Sequence, residues 1–248
     1  MATVASPIHH FKFNDNAGNT TVVDTMGGAS AAGSQNTSSF TTTGKINGAF
    51  NFDGNDYVQF SGLDFGSGDA FSFSLWAKPN SFTNSEAHFI QVESEVRCPL
   101  FFRLAGTGNN KVQAQVSGAS NTLIISNGTT SLEVGNWYHL TMTFDGTTLT
   151  QYINGEIEGN QPTGTKRGDF DTGGTFGCYH ITGLSQYYVD AIMDDFRIYN
   201  FALTQDEVKA IYNNGNGTEE QNPTIGGNPK GCLLGFLGKG IIPSVRNC

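Results

Sequence analysis

Trp137-Tyr138-His139-Leu140-Thr141-Met142-Thr143-Phe144-Asp145-Gly146-Thr147-Thr148-Leu149, followed by Gln151-Tyr152-Ile153-Asn154-Gly155-Glu156, is the stretch that decides the fold. Leu140, Met142 and Phe144 alternate with His139, Thr141 and Thr143. A period of two is the pattern of a strand with one buried face. Asp145-Gly146 supplies a tight reversal, because both residues tolerate the positive φ it needs. Thr148 to Ile153 then reads as the return strand, and Asn154-Gly155 as a second turn. The product is an antiparallel sheet.

The same alternation appears upstream. Phe71, Phe73, Leu75 and Ala77 alternate with Ser72, Ser74 and Trp76, which predicts a central strand packed on both faces. Shorter strands are expected at 8–13, 49–52, 57–60, 87–95, 100–104, 112–116, 123–125, 175–181 and 187–199. Residues 24–45, rich in Gly, Ser, Thr and Ala, read as a long, loosely structured excursion. Thr204-Gln205-Asp206-Glu207 is a capping box. It opens a helix through Val208, Ile211 and Tyr212 that stops near Asn213-Asn214-Gly215.

Bulk properties narrow the function. The 248 residues suffice for one large all-β domain. A net charge of -9 repels a nucleic-acid backbone and leaves no phosphate-binding footprint, so no nucleic-acid partner is expected. No run reaches the roughly 18 apolar residues of a membrane-spanning helix. Met1 to Pro7 has no basic region followed by an apolar run, so no signal peptide is read there. The composition changes at Asn216. Residues 1–215 are expected to form the domain, and residues 216–248 a linker with an apolar, glycine-rich tail. Residues 232–245 of that tail are expected to dock, either on their own domain or on a neighbouring protein. Cys98, Cys178, Cys232 and Cys248 form no zinc knuckle. Pairing of Cys232 with Cys248 stays open.

Five segments in order resemble the concanavalin A-like lectin/glucanase superfamily, most closely its laminin G-like domains. They are Phe11 to Thr20, Gly48 to Val58, Phe71 to Pro79, Trp137 to Gly155, and Asp194 to Thr204 with the helix after it. The resemblance covers roughly residues 8–214. It implies an all-β fold, a two-sheet antiparallel jelly-roll sandwich with one short C-terminal helix. Two layers are also what alternating strands need to bury their apolar faces.

The resemblance further implies a calcium ion near the early loop and the last strands. Asp24 and Asp194 match its acidic ligands best, the backbone near Asn47 or Gly48 is a further oxygen source, and Asp15 and Asp195 are alternatives. Sugar binding is the class-level function, and it needs an aromatic platform. Tyr179, His180, Tyr187 and Tyr188 are the candidate cluster, while Trp76 and Trp137 are expected in the core. Glucanases of the superfamily place acids at alternate positions of one strand. Here Glu93-Ser94-Glu95 puts two carboxylates about 7 Å apart, with serine where the pattern has an intervening aspartate and with no third acid. No catalytic residue is assigned, and no serine or cysteine triad is visible around His139.

The function expected is therefore a non-catalytic surface or virion component, extracellular or on a particle. It would bind glycans or neighbouring proteins through sandwich loops. A secreted or cell-surface carbohydrate-binding adhesion module is the first alternative, and a glycoside hydrolase the second.

Overall fold

The computed structural model describes residues 5–14, 21–28, 30–33, 41–63, 65, 69–92, 100–105, 108–167, 173–181 and 184–219. The tail at 232–245, Asp15, the Glu93 and Glu95 pair, and Cys98, Cys232 and Cys248 lie outside them.

The strands in chain order are β1 (His9–Phe11), β2 (Thr21–Val23), β3 (Ser30–Gly33), β4 (Thr41–Thr43), β5 (Gly48–Asp53), β6 (Val58–Ser61), β7 (Ala70–Pro79), β8 (His88–Val92) and β9 (Leu100–Ala105). They continue as β10 (Lys111–Ser117), β11 (Leu123–Asn127), β12 (Tyr138–Asp145), β13 (Leu149–Ile153), β14 (Glu156–Glu158), β15 (Gly174–Phe176), β16 (Tyr179–Ile181), β17 (Leu184–Gln186) and β18 (Asp190–Tyr199). A single helix, α1, spans Gln205–Tyr212 among the described residues. One sheet runs β14-β13-β12-β7-β18-β5-β4, with β1 also on β18, and the other runs β11-β10-β9-β8-β15-β6-β3-β2. All named pairings are antiparallel, and the hairpin β16–β17 stands apart as a small sheet. The all-β sandwich is as expected.

The deciding stretch forms β12, β13 and β14. Leu140, Met142 and Phe144 pair with Leu75, Phe73 and Phe71 of β7 and enter the core between the sheets. Asn154 (φ 53) and Gly155 (φ 84) make the second turn with both residues left-handed, the geometry that matches strand twist. On β7 the opposite face is buried too, because α1 and the chain beyond it cover that side of the sheet. Tyr152, Tyr199, Leu203, Val208 and Ile211 form a second, smaller core there. Trp76 is buried, as expected, but on this outer face, where it meets His139 and Tyr212. Trp137, expected in the core, is only partly buried at the mouth of β12, with the Lys78 ammonium 5.4 Å from its ring.

The excursion read at 24–45 contains two paired strands in its described part. β3 pairs with β2 and β6, and β4 with β5. These strands consist of Ser, Ala, Gly and Thr. They carry little apolar periodicity of their own and are specified by the strands they join.

The capping box at α1 is complete: Thr204 accepts from the Glu207 N–H while the Glu207 side chain reaches back to the cap. Thr204→Ala should lower stability by about 1 kcal/mol, read as a shift of the urea midpoint without change in slope.

Candidate functional site

The first candidate locus is a gap along β18. β5 covers Asp190 to Met193, and β1 covers Phe196 to Ile198. Both lie on one edge of β18, so Asp194 and Asp195 fall where the edge partner changes. On the other edge, the register with β7 shifts between Asp194 and Arg197, and Asp195 takes φ 53. This bulge turns two adjacent acids toward different partners.

Asp195 accepts from His10 Nε2 at 2.5 Å and from Arg197 Nε and Nη2 at 3.2 and 3.1 Å. Asp195 and Arg197 are buried, at 1% and 0% exposure. Asp24 sits by β1, where it accepts from His9 Nδ1 at 2.7 Å and from the His10 N–H at 2.9 Å. The side chains of the two histidines thus serve different acids, because successive residues of a strand point to opposite faces.

Asp194 turns instead to the loop before β5. Its Oδ2 accepts from the Ile46 N–H at 2.8 Å, while its buried Oδ1 has no hydrogen-bond partner among the described residues. The Gly48 carbonyl oxygen lies in the same place. A Cβ on Gly44 would stand 2.2 Å from that oxygen and 2.7 Å from Asp194 Oδ2. Only glycine fits this approach. The Gly48 N–H donates to Asn14 Oδ1 at 2.8 Å, and Asn14 Nδ2 donates to Glu219 Oε1 at 2.8 Å. Of the three residues named for calcium, the structure therefore brings Asp194 and Gly48 together, and seats Asp24 against the histidines. Asn14 and Glu219 are additions the sequence reading did not name. Among the described residues, no group of three or more His, Cys, Asp and Glu is placed to hold a metal.

The second locus is the hairpin β16–β17 with the residues after it. Tyr179, His180, Tyr187 and Tyr188 do lie together, but in two groups. Tyr179 and Tyr187 meet edge to face at 5.8 Å, and both contact buried His88. His180 stacks on Tyr57 at 5.5 Å and 19°, with Tyr188 at 6.4 Å from the same tyrosine. Successive residues of a strand point to opposite faces, which separates Tyr179 from His180. Gln91 reads the backbone of His180 in both directions and pins the hairpin to the sheet. Tyr57, 123 positions before His180 in the chain, escaped the sequence reading. Its only local signal is its place after the Asp53 to Asp56 turn.

His139 lies under Trp76 with its Nε2 2.8 Å from Ser74 Oγ. Both residues are buried, so the pair braces β7 against β12 and has no access for a substrate.

Burial, with the Arg103 charge second, holds His88 down from 6.5 to about 3. His139 is likewise held down to about 3, by burial first, with the pull of Asp195 and the push of Arg197 opposing each other. Asp194 is pushed up from 3.8 to about 8, by burial first and then by Asp195 and Glu219, against the Ile46 and Lys45 N–H groups. The histidines stay neutral when folded, so they favour unfolding as pH falls from 6.5 toward 3. Asp194 keeps its proton when folded, so it destabilises the fold as pH rises from 3.8 toward 8. Between 3.8 and 6.5 two opposing protons outweigh one, and stability rises with pH by about 1.4 kcal/mol per unit. Above 6.5 only Asp194 acts, and stability falls. Thermal melts of the metal-free protein should peak near pH 6.5, and Asp194→Asn should flatten the alkaline side.

A sequence profile described as the concanavalin A-like lectin/glucanases superfamily, of laminin G type, matches residues 52–209. No curated protein sequence matches the chain. Among solved structures, the botulinum neurotoxin serotype G binding domain superposes with a TM-score of 0.64 at 16% identity, over 84% of this chain and 50% of that one. The serotype D binding domain gives 0.62 at 18% identity, over 84% and 51%. The binding domain of Paraclostridial Mosquitocidal Protein 1 gives 0.63 at 15% identity, over 84% and 52%. The chain thus spans about half the length of these structures, and the likeness is one of fold. The profile match, the two sheets and the element order make this chain a member of the laminin G-like domains of the concanavalin A-like lectin/glucanases superfamily.

Proposed function

We propose that this domain is a non-catalytic attachment module that contacts glycans through the face bearing Tyr57, His180 and Tyr188. The supporting observation is the Tyr57–His180 stack, part-exposed and with Tyr188 beside it. Flat rings present an apolar body beside polar tips, which suits a sugar ring. Asn84, whose Nδ2 donates to the Tyr188 carbonyl, and Asp190 bring polar groups to the same rim. Tyr179 and Tyr187 act as braces, since their rings are spent on each other and on His88. The structural relatives are named as toxin binding domains, which agrees with a binding role. The setting proposed is extracellular or on a particle surface, with residues 232–245 docking on a neighbouring protein.

The test is a glycan array probed with the wild type, Tyr57→Ala and Tyr188→Ala. A specific glycan should lose at least about tenfold in affinity in both variants, with their melting temperatures preserved. A bound glycan indifferent to both substitutions would move the site elsewhere. Hydrolysis of a β-glucan, lost in Glu93→Gln, would replace this reading with an enzymatic one.

A second reading concerns calcium, which we propose binds beside Asp194. The partnerless buried Oδ1 and the adjoining Gly48 carbonyl are hard oxygen donors of the kind calcium takes. Calcium there would supply the counter-charge that this carboxylate lacks. A rise in melting temperature with calcium, absent in Asp194→Asn, is the expected result.

A further inference from the structure

We propose that Asp190 sets the specificity of the face bearing Tyr57, His180 and Tyr188, and that the sugar it selects carries a free, protonated amine. The inference rests on the glycan reading above and names the chemical class of its ligand.

The fold puts Asp190 on the rim of that face. It opens β18, directly after Val189, whose N–H donates to the Gly177 carbonyl at 2.8 Å. Val189 is buried, and Tyr188 and Asp190 on either side of it are part-exposed, the alternation of an extended chain. A Cβ on Gly54 would stand 3.7 Å from Asp190 Cβ and 3.6 Å from Asn84 Nδ2, and Asn84 Nδ2 donates to the Tyr188 carbonyl at 2.8 Å. Tyr188 in turn lies 6.4 Å from Tyr57, which stacks on His180.

The carboxylate is already oriented. Its Oδ1 accepts from Asn80 Nδ2 at 3.1 Å, and its Oδ2 from Ser81 Oγ at 2.7 Å. The Asn80 and Ser81 N–H groups donate to the Asp190 carbonyl, which ties the same two residues to the strand. Both partners of the carboxylate are neutral, and an ionised carboxylate takes about four hydrogen bonds, so each oxygen keeps room for an outside donor. No cationic side chain is paired with Asp190 among the described residues. Lys78, two residues before Asn80, holds its ammonium over the Trp137 ring at 5.4 Å instead.

Charge then decides between sugars. Exposed Asp53 is the register partner of Asp190 on β5, and like charges set opposite each other across two strands repel. A cationic group bound at this rim relieves that repulsion, and an anionic group adds to it. The net charge of -9 acts in the same direction at long range. The tyrosine rings suit both parts of an amino sugar, since they take its apolar face and attract its ammonium. Sialic, uronic and sulfated sugars bring an acid to the carboxylate, and an N-acetylated sugar keeps a donor but loses the charge.

The test uses the full chain and three probes: a glucosamine oligomer with free amines, its N-acetylated counterpart, and sialyllactose. Calorimetry gives the affinities, and thermal melts check folding of each variant. The wild type should bind the free-amine oligomer at least about tenfold tighter than the N-acetylated one, as a charge-assisted hydrogen bond exceeds a neutral one, and should not bind sialyllactose. Asp190→Asn should abolish that preference without changing the affinity for the N-acetylated oligomer. Asp53→Asn should reduce it in part, and supplies the reading if Asp190→Asn does not fold. Tyr57→Ala should weaken both oligomers. A preference for the N-acetylated or sialylated probe that is lost in Tyr57→Ala would overturn the amino-sugar assignment and leave the glycan reading standing. Free-amine binding indifferent to Asp190→Asn, Asp53→Asn and Tyr57→Ala would be attraction to the acidic surface at large, and would overturn the inference. No binding of these probes or of any array glycan by the wild type would overturn both.

Discussion

Arg197→Met is expected to cost about 3–5 kcal/mol, because it strands a buried carboxylate. Asp195 receives two guanidinium hydrogen bonds and is 1% exposed, so no water replaces them. The His10 contact remains, but one imidazole cannot reproduce the fork of a guanidinium. Burial, the largest influence, would lower the Arg197 pKa, but the Asp195 charge together with Tyr199 and the hydrogen bonds to both outweighs it, and the net shift is upward. For a domain of this size the melting temperature should fall by roughly 10 °C. Asp195→Asn combined with Arg197→Met should cost less than the sum of the two single changes, since the double variant leaves no unpaired charge. A single variant that melts within a degree or so of wild type would mean that the pair contributes little.

Phe176→Ala should cost a similar amount, about 3–5 kcal/mol, by a different mechanism. Phe176 lies on β15, a three-residue strand between β8 and β6. Its ring meets Phe60 at 4.7 Å in its own sheet, and Phe196 at 4.8 Å and Phe11 at 5.2 Å in the other. It is the clasp between the sheets, and truncation leaves a cavity that four surrounding strands cannot collapse to fill. Phe176→Leu should recover part of the loss. Because the aromatic hairpin begins three residues later, Phe176→Ala should also weaken any glycan bound there.

The hairpins from Trp137 to Gly155 were legible because everything that makes them is local. The alternation, the Asp-Gly and Asn-Gly turns and the capping box of α1 all lie within a few residues. The double burial of β7 could be read from Trp76 amid serines. The thin strands β3 and β4 could not, since Ser, Ala, Gly and Thr owe their pairing to β6 and β5. Of the acid locus, Asp194 and Gly48 came through the family resemblance. Asn14 and Glu219 are 205 positions apart and carry no motif that pairs them. The aromatic cluster was found as a set, but its division into two faces depends on where β16 begins, and Tyr57 joins only through the fold.

The change of edge partner along β18 also bears on how the molecule is made. β18 pairs with β7, β5 and β1, and its contact with β1 sets Ile198 against His9. The middle of one sheet is therefore filled by a strand that leaves the ribosome after the other described strands. Between Pro79 and Asp190, synthesis at typical speeds takes on the order of ten seconds. Throughout that interval β7 presents an open edge rich in phenylalanine. The nascent chain should accordingly be a client for chaperones until β18 emerges, and its refolding should be slow, as long-range pairing dictates.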